Sequence, residues 1–392
     1  MGILIPLFLV IICCTVIWRA SDGFAAASDY IGRNLSDGVR GATINAIGSS
    51  LPEVFTSFFF LFYLKDVDGF SGGIGTTAGS AIFNGMIIPA FVIFVVILTG
   101  LAKHITISKK VLYRDGFSLI IAELLFIIII SGNSIDWWHG LFLMIIYFVY
   151  LTYMLKTMKT APENQFNFEA NIKFHEPRRS TWHYLITFDL EPIFIGNDKI
   201  SNKTAWPLLI FSTFLIAFTC LLLVQACEWI GSTEYTIPFV GTFEGLDIPI
   251  MFIAIILASA ASSVPDTIIS MNDARKGNYD DAISNALGSN IFDICFALGF
   301  PLFLYTLIYG PIIMNEETIQ QSSELRVLLL LLTILAFCIY TFRKIINRVQ
   351  AYLLLGIYSI FMLYVIGRGA DHPLANEIAR FLKSIVAYLN LL

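Results

Sequence analysis

Residues 48–57 read GSSLPEVFTS and residues 261–270 read ASSVPDTIIS. In the first block Ser49 lies four residues and Ser50 three residues before Glu53, so all three oxygen-bearing side chains share one helix face. Ser262, Ser263 and Asp266 repeat that spacing. Pro52 cannot donate a hydrogen bond to the carbonyl of Gly48, nor Pro265 to that of Ala261, so each proline frees a backbone oxygen within a turn of a carboxylate. A second pair of blocks follows in the same order, GSAIFN at 79–84 and GSNIFD at 288–293, with Ser80 four residues before Asn84 and Ser289 four before Asp293. Together they offer carboxylates, hydroxyls, an amide and carbonyls, with no thiolate or imidazole. Such hard oxygen donors suit Ca²⁺, which takes six to eight of them at roughly 2.3–2.6 Å, and also Na⁺ and K⁺. A Zn²⁺ site would recruit His or Cys. The five histidines (His104, His139, His175, His183, His372) fall in loops or at helix ends, away from these blocks.

The surroundings make the acids unusual. Asp266 follows the apolar run IPIMFIAIILASA, and a carboxylate at the centre of a spanning helix costs roughly 2.5–3.5 kcal/mol on the insertion scale. The 392-residue chain is 57% hydrophobic and 14% charged, where soluble domains carry about 25% charge; this composition is that of an integral membrane protein. The net charge of −5 says little by itself, since the distribution of charge carries the information; the expected partners are ions and the lipid bilayer, not nucleic acid. The stretch MGILIPLFLVIICCTVIW before AAAS has a signal-like core but no basic start, so it reads as a first transmembrane helix. The six cysteines (Cys13, Cys14, Cys220, Cys227, Cys295, Cys338) lie in apolar segments without metal-ligand spacing and read as buried free thiols.

About ten apolar segments approach spanning length, near 2–20, 38–63, 72–100, 116–132, 138–155, 205–230, 247–271, 280–309, 325–342 and 349–367. One long polar connection, 156–203, separates a first five-helix unit (1–155) from a second (204–370), and residues 371–392 read as an amphipathic helix lying on the membrane. Five is odd, so the second unit enters the bilayer the other way up. The expected fold is therefore an all-α polytopic membrane protein, about ten transmembrane helices arranged as two inverted five-helix repeats. Arg33, Arg40, Lys103, Lys109, Lys110, Arg114, Arg275, Lys276, Arg343, Lys344, Arg348 and the basic residues of the long connection fall on one side. The other side holds mainly Lys65 and Arg326 among acids such as Glu228, Glu234, Glu316 and Glu317. The positive-inside rule then puts both termini outside and the long loop in the cytoplasm of a cell-membrane protein.

Prolines and serines are tolerated in membrane helices, and a lone acid can be satisfied by a neighbour. Glu123, alone within SLIIAELLFIIII, reads as such a tolerated or paired acid, and Asp22 and Asp29 sit toward the inner end of the first helix. Two matched copies of a proline-acid block are not explained that way.

The pairs GSSLPEVFTS…GSAIFN and SSVPDTIISMNDARKG…SNALGSNIFD resemble the paired alpha repeats of the cation/calcium exchanger superfamily, most closely the potassium-dependent sodium/calcium exchangers. The resemblance implies that Glu53 and Asp266 are the two central Ca²⁺-binding acids. It also implies that Ser49, Ser50, Ser80, Asn84, Ser262, Ser263, Ser289 and Asp293 surround them as Na⁺ and Ca²⁺ ligands. An Asp at the position of Asp293 goes with K⁺ co-transport in that branch, where plain animal sodium/calcium exchangers tend to carry Asn. The implied mechanism is alternating access, with the first and sixth helices sliding against a core that holds the ligand helices. The connection 156–203 is too short for β-sandwich regulatory domains of about 100 residues, and Arg40 has no assigned role.

The expected function is then secondary-active exchange of Ca²⁺ for Na⁺, with K⁺ as a possible co-substrate and no enzymatic step or cofactor. Three carboxylates facing one low-dielectric cavity must be occupied by cations or protons. A proton/calcium antiporter could use the same acids, although so many hydroxyl and amide donors would be superfluous for protons. An intramembrane aspartyl protease would need a tyrosine-aspartate motif within the membrane, and the one YD, Tyr279–Asp280, sits at a loop–helix boundary. A cation channel explains neither the inverted repeat nor the broken helices.

Overall fold

The computed structural model describes residues 2–33, 46–158, 181–196, 200–342 and 345–388. Arg40, His175, the start of the second predicted segment and most of the polar connection lie outside these residues. Ten helical stretches follow the ten apolar segments: α1 (Leu4–Ile31), α2 (Leu51–Leu64), α3 (Asp66–Leu98), α4 (Lys109–Ile129), α5 (Trp137–Met158), α6 (Asn202–Gly231), α7 (Ile250–Ser262 and Val264–Arg275), α8 (Tyr279–Tyr309), α9 (Glu316–Thr341) and α10 (Arg348–Gly369). Seven of them are long and apolar enough to cross a bilayer, and α7, bent by 43° at Ser263, makes an eighth. The other two fall short for local reasons. The chain breaks at Ser50, which detaches the turn Ala46–Ser49 from α2, and α4 carries Arg114, Asp115 and Glu123 within its span.

Several boundaries move, each for a physical reason. α1 runs to Ile31 rather than stopping near residue 20, so Asp22 lies within the helix, and the small residues of GFAAAS continue it. Gly23 lets α1 press against α6: a Cβ there would stand 2.8 Å from Ser212 Oγ. α9 begins at Glu316, nine residues before the apolar run. Asn315 caps it by accepting from Thr318 N at 2.8 Å, and Glu316 and Glu317 favour the positive end of its dipole. Arg326, expected in an outer loop, is therefore a buried residue of α9, 2% exposed. Its guanidinium donates to the carbonyls of Ile127 (2.7 Å) and Ser322 (3.2 Å) and to the Ser323 and Ser131 hydroxyls. The thiols are also not all buried: Cys338 is exposed on α9 and Cys14 is half-buried, because a membrane helix turns apolar side chains outward to lipid. Residues Pro373–Tyr388 form the amphipathic helix α11. It docks through Ala375, Ala379 and Leu382, leaving Leu374, Ile378 and Phe381 exposed.

The inversion of the two units is visible in how their loops pair. Strand β1 (Ser134–Ile135), between α4 and α5, pairs with β4 (Ile312–Ile313), between α8 and α9. At the other end, Ile105, between α3 and α4, bridges Ile346, between α9 and α10. Thus α4 runs from the Ile105 end to the Ser134 end, while α9 runs from the Ile312 end to the Ile346 end, in the opposite direction. The sequence blocks equate α2 with α7 and α3 with α8, hence α4 with α9. Equivalent helices run antiparallel. A second small hairpin, β2 (Glu234–Ile237) with β3 (Gly241–Glu244), lies between α6 and α7, and its Tyr235 hydroxyl donates to the carbonyl of Gly2 at the start of the chain.

Two apolar cores result. The larger joins α3, α4, α5, α8, α9 and α10. The smaller is built mainly from α1 and α6, through Cys13, Ile17, Ala20, Ile216, Cys220 and Leu223, and leans on Ala254, Ala258 and Ala261 of α7. α3 and α8 are the most buried spans, each with 67% of its apolar stretch enclosed, against 28% for α10. α3 meets the first half of α7 backbone to backbone. A Cβ on Gly75 would stand 2.7 Å from Met251 O, and one on Gly79 2.7 Å from Ile255 O, so these two glycines, four apart, form a small-residue contact. Gly288, the counterpart of Gly79 in the second repeat, makes no such contact: a Cβ there meets only the Tyr150 hydroxyl, at 3.6 Å.

Gly79→Leu should therefore force α3 and α7 apart, costing on the order of 1–3 kcal/mol and lowering the unfolding midpoint of the purified protein in detergent. Gly356→Ala, where nothing lies within 4 Å of the added carbon, should leave the midpoint unchanged or slightly raised. Equal midpoints for both variants would refute the tight contact.

Candidate functional site

The helix breaks fall at equivalent serines. Ser50 (φ −99°, ψ 11°) and Ser263 (φ −79°, ψ 2°) leave helical geometry at matching positions, two residues before each proline. Leu51 and Val264 then start new helical segments with Pro52 and Pro265 in the first turn, where a missing N–H carries little penalty. Glu53 and Asp266 follow in the same turn. α8 is interrupted differently, by a π-helical stretch Asp293–Ala297 in which Leu298 N bonds to Asp293 O at 3.2 Å; such stretches recur at functional sites. α3 stays α-helical through Asn84.

These four elements converge. All ten predicted residues (Ser49, Ser50, Glu53, Ser80, Asn84, Ser262, Ser263, Asp266, Ser289 and Asp293) are no more than 1% exposed. Glu53, Asp266 and Asp293 bring carboxylate oxygens within 4.8 Å of one another. Ser80 Oγ stands among them, 3.2 Å from Glu53 Oε1, 2.9 Å from Asp293 Oδ2 and 2.7 Å from Ser263 Oγ. The Asn84 amide reaches Asp266 Oδ2 at 3.4 Å and Asp293 Oδ2 at 3.3 Å, and Ser289 Oγ donates to Asp266 Oδ1 at 3.0 Å.

The arrangement crosses between the units. Ser49 of the first lies beside Asp266 of the second, while Ser262 of the second lies beside Glu53 of the first. Ser263 Oγ is 3.5 Å from Glu53 Oε1, and Ser50 lies beside Asp293. Neither unit holds the cluster alone.

The donors do not suffice for the acceptors. A serine hydroxyl has one hydrogen, yet Ser80 faces two carboxylates and a second hydroxyl. Asn84 spreads its amide over contacts of 3.3–3.4 Å, long for hydrogen bonds. Glu53 Oε2, Asn84 Oδ1 and Asp293 Oδ1 are buried with no hydrogen-bond partner. Among the described residues no lysine or arginine forms an ion pair with any of the three acids. A cluster of acceptor oxygens from four elements, short of donors and short of positive charge, fits a hard cation.

Two asparagines join this environment without having been singled out from sequence. Asn285 Nδ2 bonds Ser270 Oγ at 3.0 Å and reaches the Asp266 carbonyl at 3.5 Å. Asn290 Nδ2 ties α8 to Ala81 O of α3 at 2.9 Å. A signal was present for the first, since Asn285, Ser289 and Asp293 recur every four residues and so share a face of α8. Glu123, by contrast, stays outside the cluster and accepts from Thr333 Oγ1 at 2.7 Å, as a paired acid.

With this geometry in place, the relatives are informative. The family description "Sodium/calcium exchanger protein" matches residues 5–156 and 204–367, resuming where the polar connection ends. The human sodium/potassium/calcium exchanger 5 is 28% identical over 332 residues, covering 69% of this chain and 64% of its own length. The sodium/potassium/calcium exchanger 2 of Gallus gallus is 23% identical over 480 residues, covering 84% of this chain and 71% of its own length. The chain thus spans about two-thirds of the length of these relatives. Among solved structures, the crystal structure of the H⁺/Ca²⁺ exchanger CAX aligns with 97% of this chain and 92% of its own at a TM-score of 0.59 and 14% identity. The sodium-calcium exchanger NCX_Mj, soaked with 10 mM Na⁺ and no Ca²⁺, aligns with 91% of this chain and 98% of its own at 0.51 and 21% identity. At such identities the likeness is one of fold. The family match, by contrast, runs through both units and through every block that builds the cluster, and the chain belongs to the sodium/calcium exchanger family.

Proposed function

We propose that the protein is a secondary-active antiporter that exchanges Ca²⁺ for Na⁺ by alternating access, with Glu53, Asp266 and Asp293 as the charged ligands. The observation that carries this reading is the meeting of three buried carboxylates, with no cationic side chain paired to them among the described residues, where the two inverted units cross. Ser49, Ser50, Ser80, Asn84, Ser262, Ser263 and Ser289 complete the oxygen shell. One Ca²⁺ and several Na⁺ competing for overlapping oxygens couple their movements, since neither set can occupy the shell while the other holds it. The printed names of the relatives pair sodium, potassium and calcium, which agrees with the hard-oxygen chemistry. The core that α1 and α6 share meets the ligand helices through Phe60 of α2 and the small residues Ala254, Ala258 and Ala261 of α7, a contact that suits sliding of the pair as one body. The basic end of the bundle, marked by Lys103, Lys109, Lys110, Arg114, Arg275 and Lys276, is placed in the cytoplasm together with the long connection, and both termini outside.

The test is ⁴⁵Ca²⁺ flux in proteoliposomes with Na⁺, K⁺ and H⁺ gradients imposed separately. A Na⁺ gradient should drive Ca²⁺ uptake; flux driven by a H⁺ gradient and indifferent to Na⁺ would replace this reading with proton/calcium exchange. Glu53→Gln and Asp266→Asn each delete one ligand charge. Loss of a mere outer-shell partner commonly costs 10–100-fold in metal affinity, so each should reduce Ca²⁺ flux by at least about 100-fold in protein that still elutes as a folded species. Near-normal flux in either variant would sink the ligand assignment.

Ser50→Ala and Ser263→Ala remove neutral hydroxyls at the two breaks. A neutral donor matters relatively more to a monovalent ion, so half-activation by Na⁺ should rise about fivefold, the equivalent of one hydrogen bond of about 1 kcal/mol. Ca²⁺ affinity should change less. Unchanged Na⁺ activation curves would make these serines packing groups.

Asp293 carries the charge that its repeat partner Asn84 lacks, and a third acid beside the pair can hold one more monovalent cation. Na⁺-driven flux should accordingly be stimulated by K⁺ on the Ca²⁺ side, and Asp293→Asn should keep some flux while losing that stimulation. Wild-type flux that does not respond to replacing K⁺ with choline would assign Asp293 to Na⁺ instead.

A further inference from the structure

Away from the ion site, a groove of about 670 Å³ opens along the first turns of α4 where they face the last turns of α5. Its upper wall carries Lys109, Lys110 and Arg114, and among the described residues no acidic side chain lines it. Below these charges the lining turns apolar, with Phe117 52% and Ile121 56% exposed. The same outward face of α4 continues through Leu124 and Ile128, also exposed, so the groove runs into a surface suited to acyl chains. Tyr113 and Tyr153 stand at the level between, and tyrosines favour the depth where headgroups meet hydrocarbon. Tyr113 stacks on Phe117 at 5.7 Å between ring centroids, and Phe337 of α9 packs against both, which fixes that wall.

Arg114 is held rather than free. Its Nε and Nη2 bond Asp115 at 2.6 and 2.9 Å, and Nη2 also donates to Ser284 Oγ of α8 at 3.1 Å. The net positive charge of the groove therefore belongs to Lys109 and Lys110, both exposed in the first turn of a helix that has no acid there. Two cations at the positive end of a helix are repelled by its dipole; Asp280 of α8 accepts from Ser108 N at 2.7 Å at that end, and an external anion would offset the positive charge that remains.

We propose that this groove is a binding site for an anionic phospholipid of the surrounding leaflet. The lipid phosphate lies against Lys109 and Lys110, with Arg114 as a fixed third cation, and an acyl chain follows Phe117 and Ile121. Charge above and apolar surface below match the two halves of one lipid molecule, whereas a soluble anion would leave the apolar half uncovered. Basic pockets between transmembrane helices take anionic headgroups in this way.

The test is native mass spectrometry of the full chain in detergent, titrated with phosphatidylglycerol and separately with phosphatidylcholine. Wild type should retain phosphatidylglycerol in preference to phosphatidylcholine. The double variant Lys109→Gln/Lys110→Gln should lose that preference, with phosphatidylglycerol affinity falling about fivefold or more, since one cation near an anionic surface contributes roughly that factor. Lys103→Gln removes a charge from the same end of the bundle but outside the groove, and should change nothing. Undiminished phosphatidylglycerol binding in the double variant would overturn the site. So would an equal loss in Lys103→Gln, which would show a diffuse basic surface. No ion gradient enters the measurement, so its outcome is independent of the transport assays above.

Discussion

Three carboxylates buried together in a membrane protein, with no lysine or arginine paired to them among the described residues, are the constraint on which the remaining architecture depends. An isolated charge of this kind is too costly to keep in hydrocarbon unless it is paired, coordinated or neutralised. The protein surrounds the three acids with hydroxyls and an amide that are too few in donors to satisfy them. Glu53 Oε2 and Asp293 Oδ1 remain without a hydrogen bond, and positive charge has to arrive from outside the chain. A stable binding protein could have saturated the same acids with donors; a transporter needs an occupant that can leave.

Most of the other buried charges are more fully satisfied, although Glu123 keeps Oε2 without a hydrogen bond. Arg326 donates to two carbonyls and two hydroxyls. Glu324 takes a bidentate contact from Arg368, at 3.0 and 3.2 Å, and a hydrogen bond from Tyr364, fastening α9 to α10. Asp115 is gripped by its neighbour Arg114 and by Ser284, whose hydroxyl donates at 2.7 Å. These are internally closed networks that hold helices in register. The central cluster is where such closure fails most, and three of the four helices that carry it, α2, α7 and α8, depart from regular geometry.

Those departures have separate origins. In α2 and α7 a proline forces the break, and the serine before it lands in the bridge region between helix and extended backbone. In α8 the proline lies after the irregularity: the π-helical stretch begins at Asp293 itself and ends at Ala297, whose carbonyl Pro301 cannot serve as an i+4 donor. α3 is left regular but must lie close to α7, which Gly75 and Gly79 permit. The outcome is one cluster reached from four sides, in which Ser49 and Ser262 each serve the acid of the opposite unit.

The repeated blocks were legible in the sequence because helical spacing alone puts Ser49, Ser50 and Glu53, or Ser289 and Asp293, on one face. The odd number of helices per unit likewise implied the inversion that the paired loops display. Hydropathy could not see that Arg326 and Glu324 are buried, because both depend on partners supplied by other helices: a carbonyl of α4 for Arg326, and Arg368 of α10 for Glu324. Nor could it separate Gly79 from Gly288. The two occupy the same place in the same motif, and only the path of α7 presses a backbone against one of them. Local spacing fixes which side chains can act together along one helix. Which helix stands opposite, and how closely, is settled by long-range packing, and that is where the crossed shell around Glu53, Asp266 and Asp293 was decided.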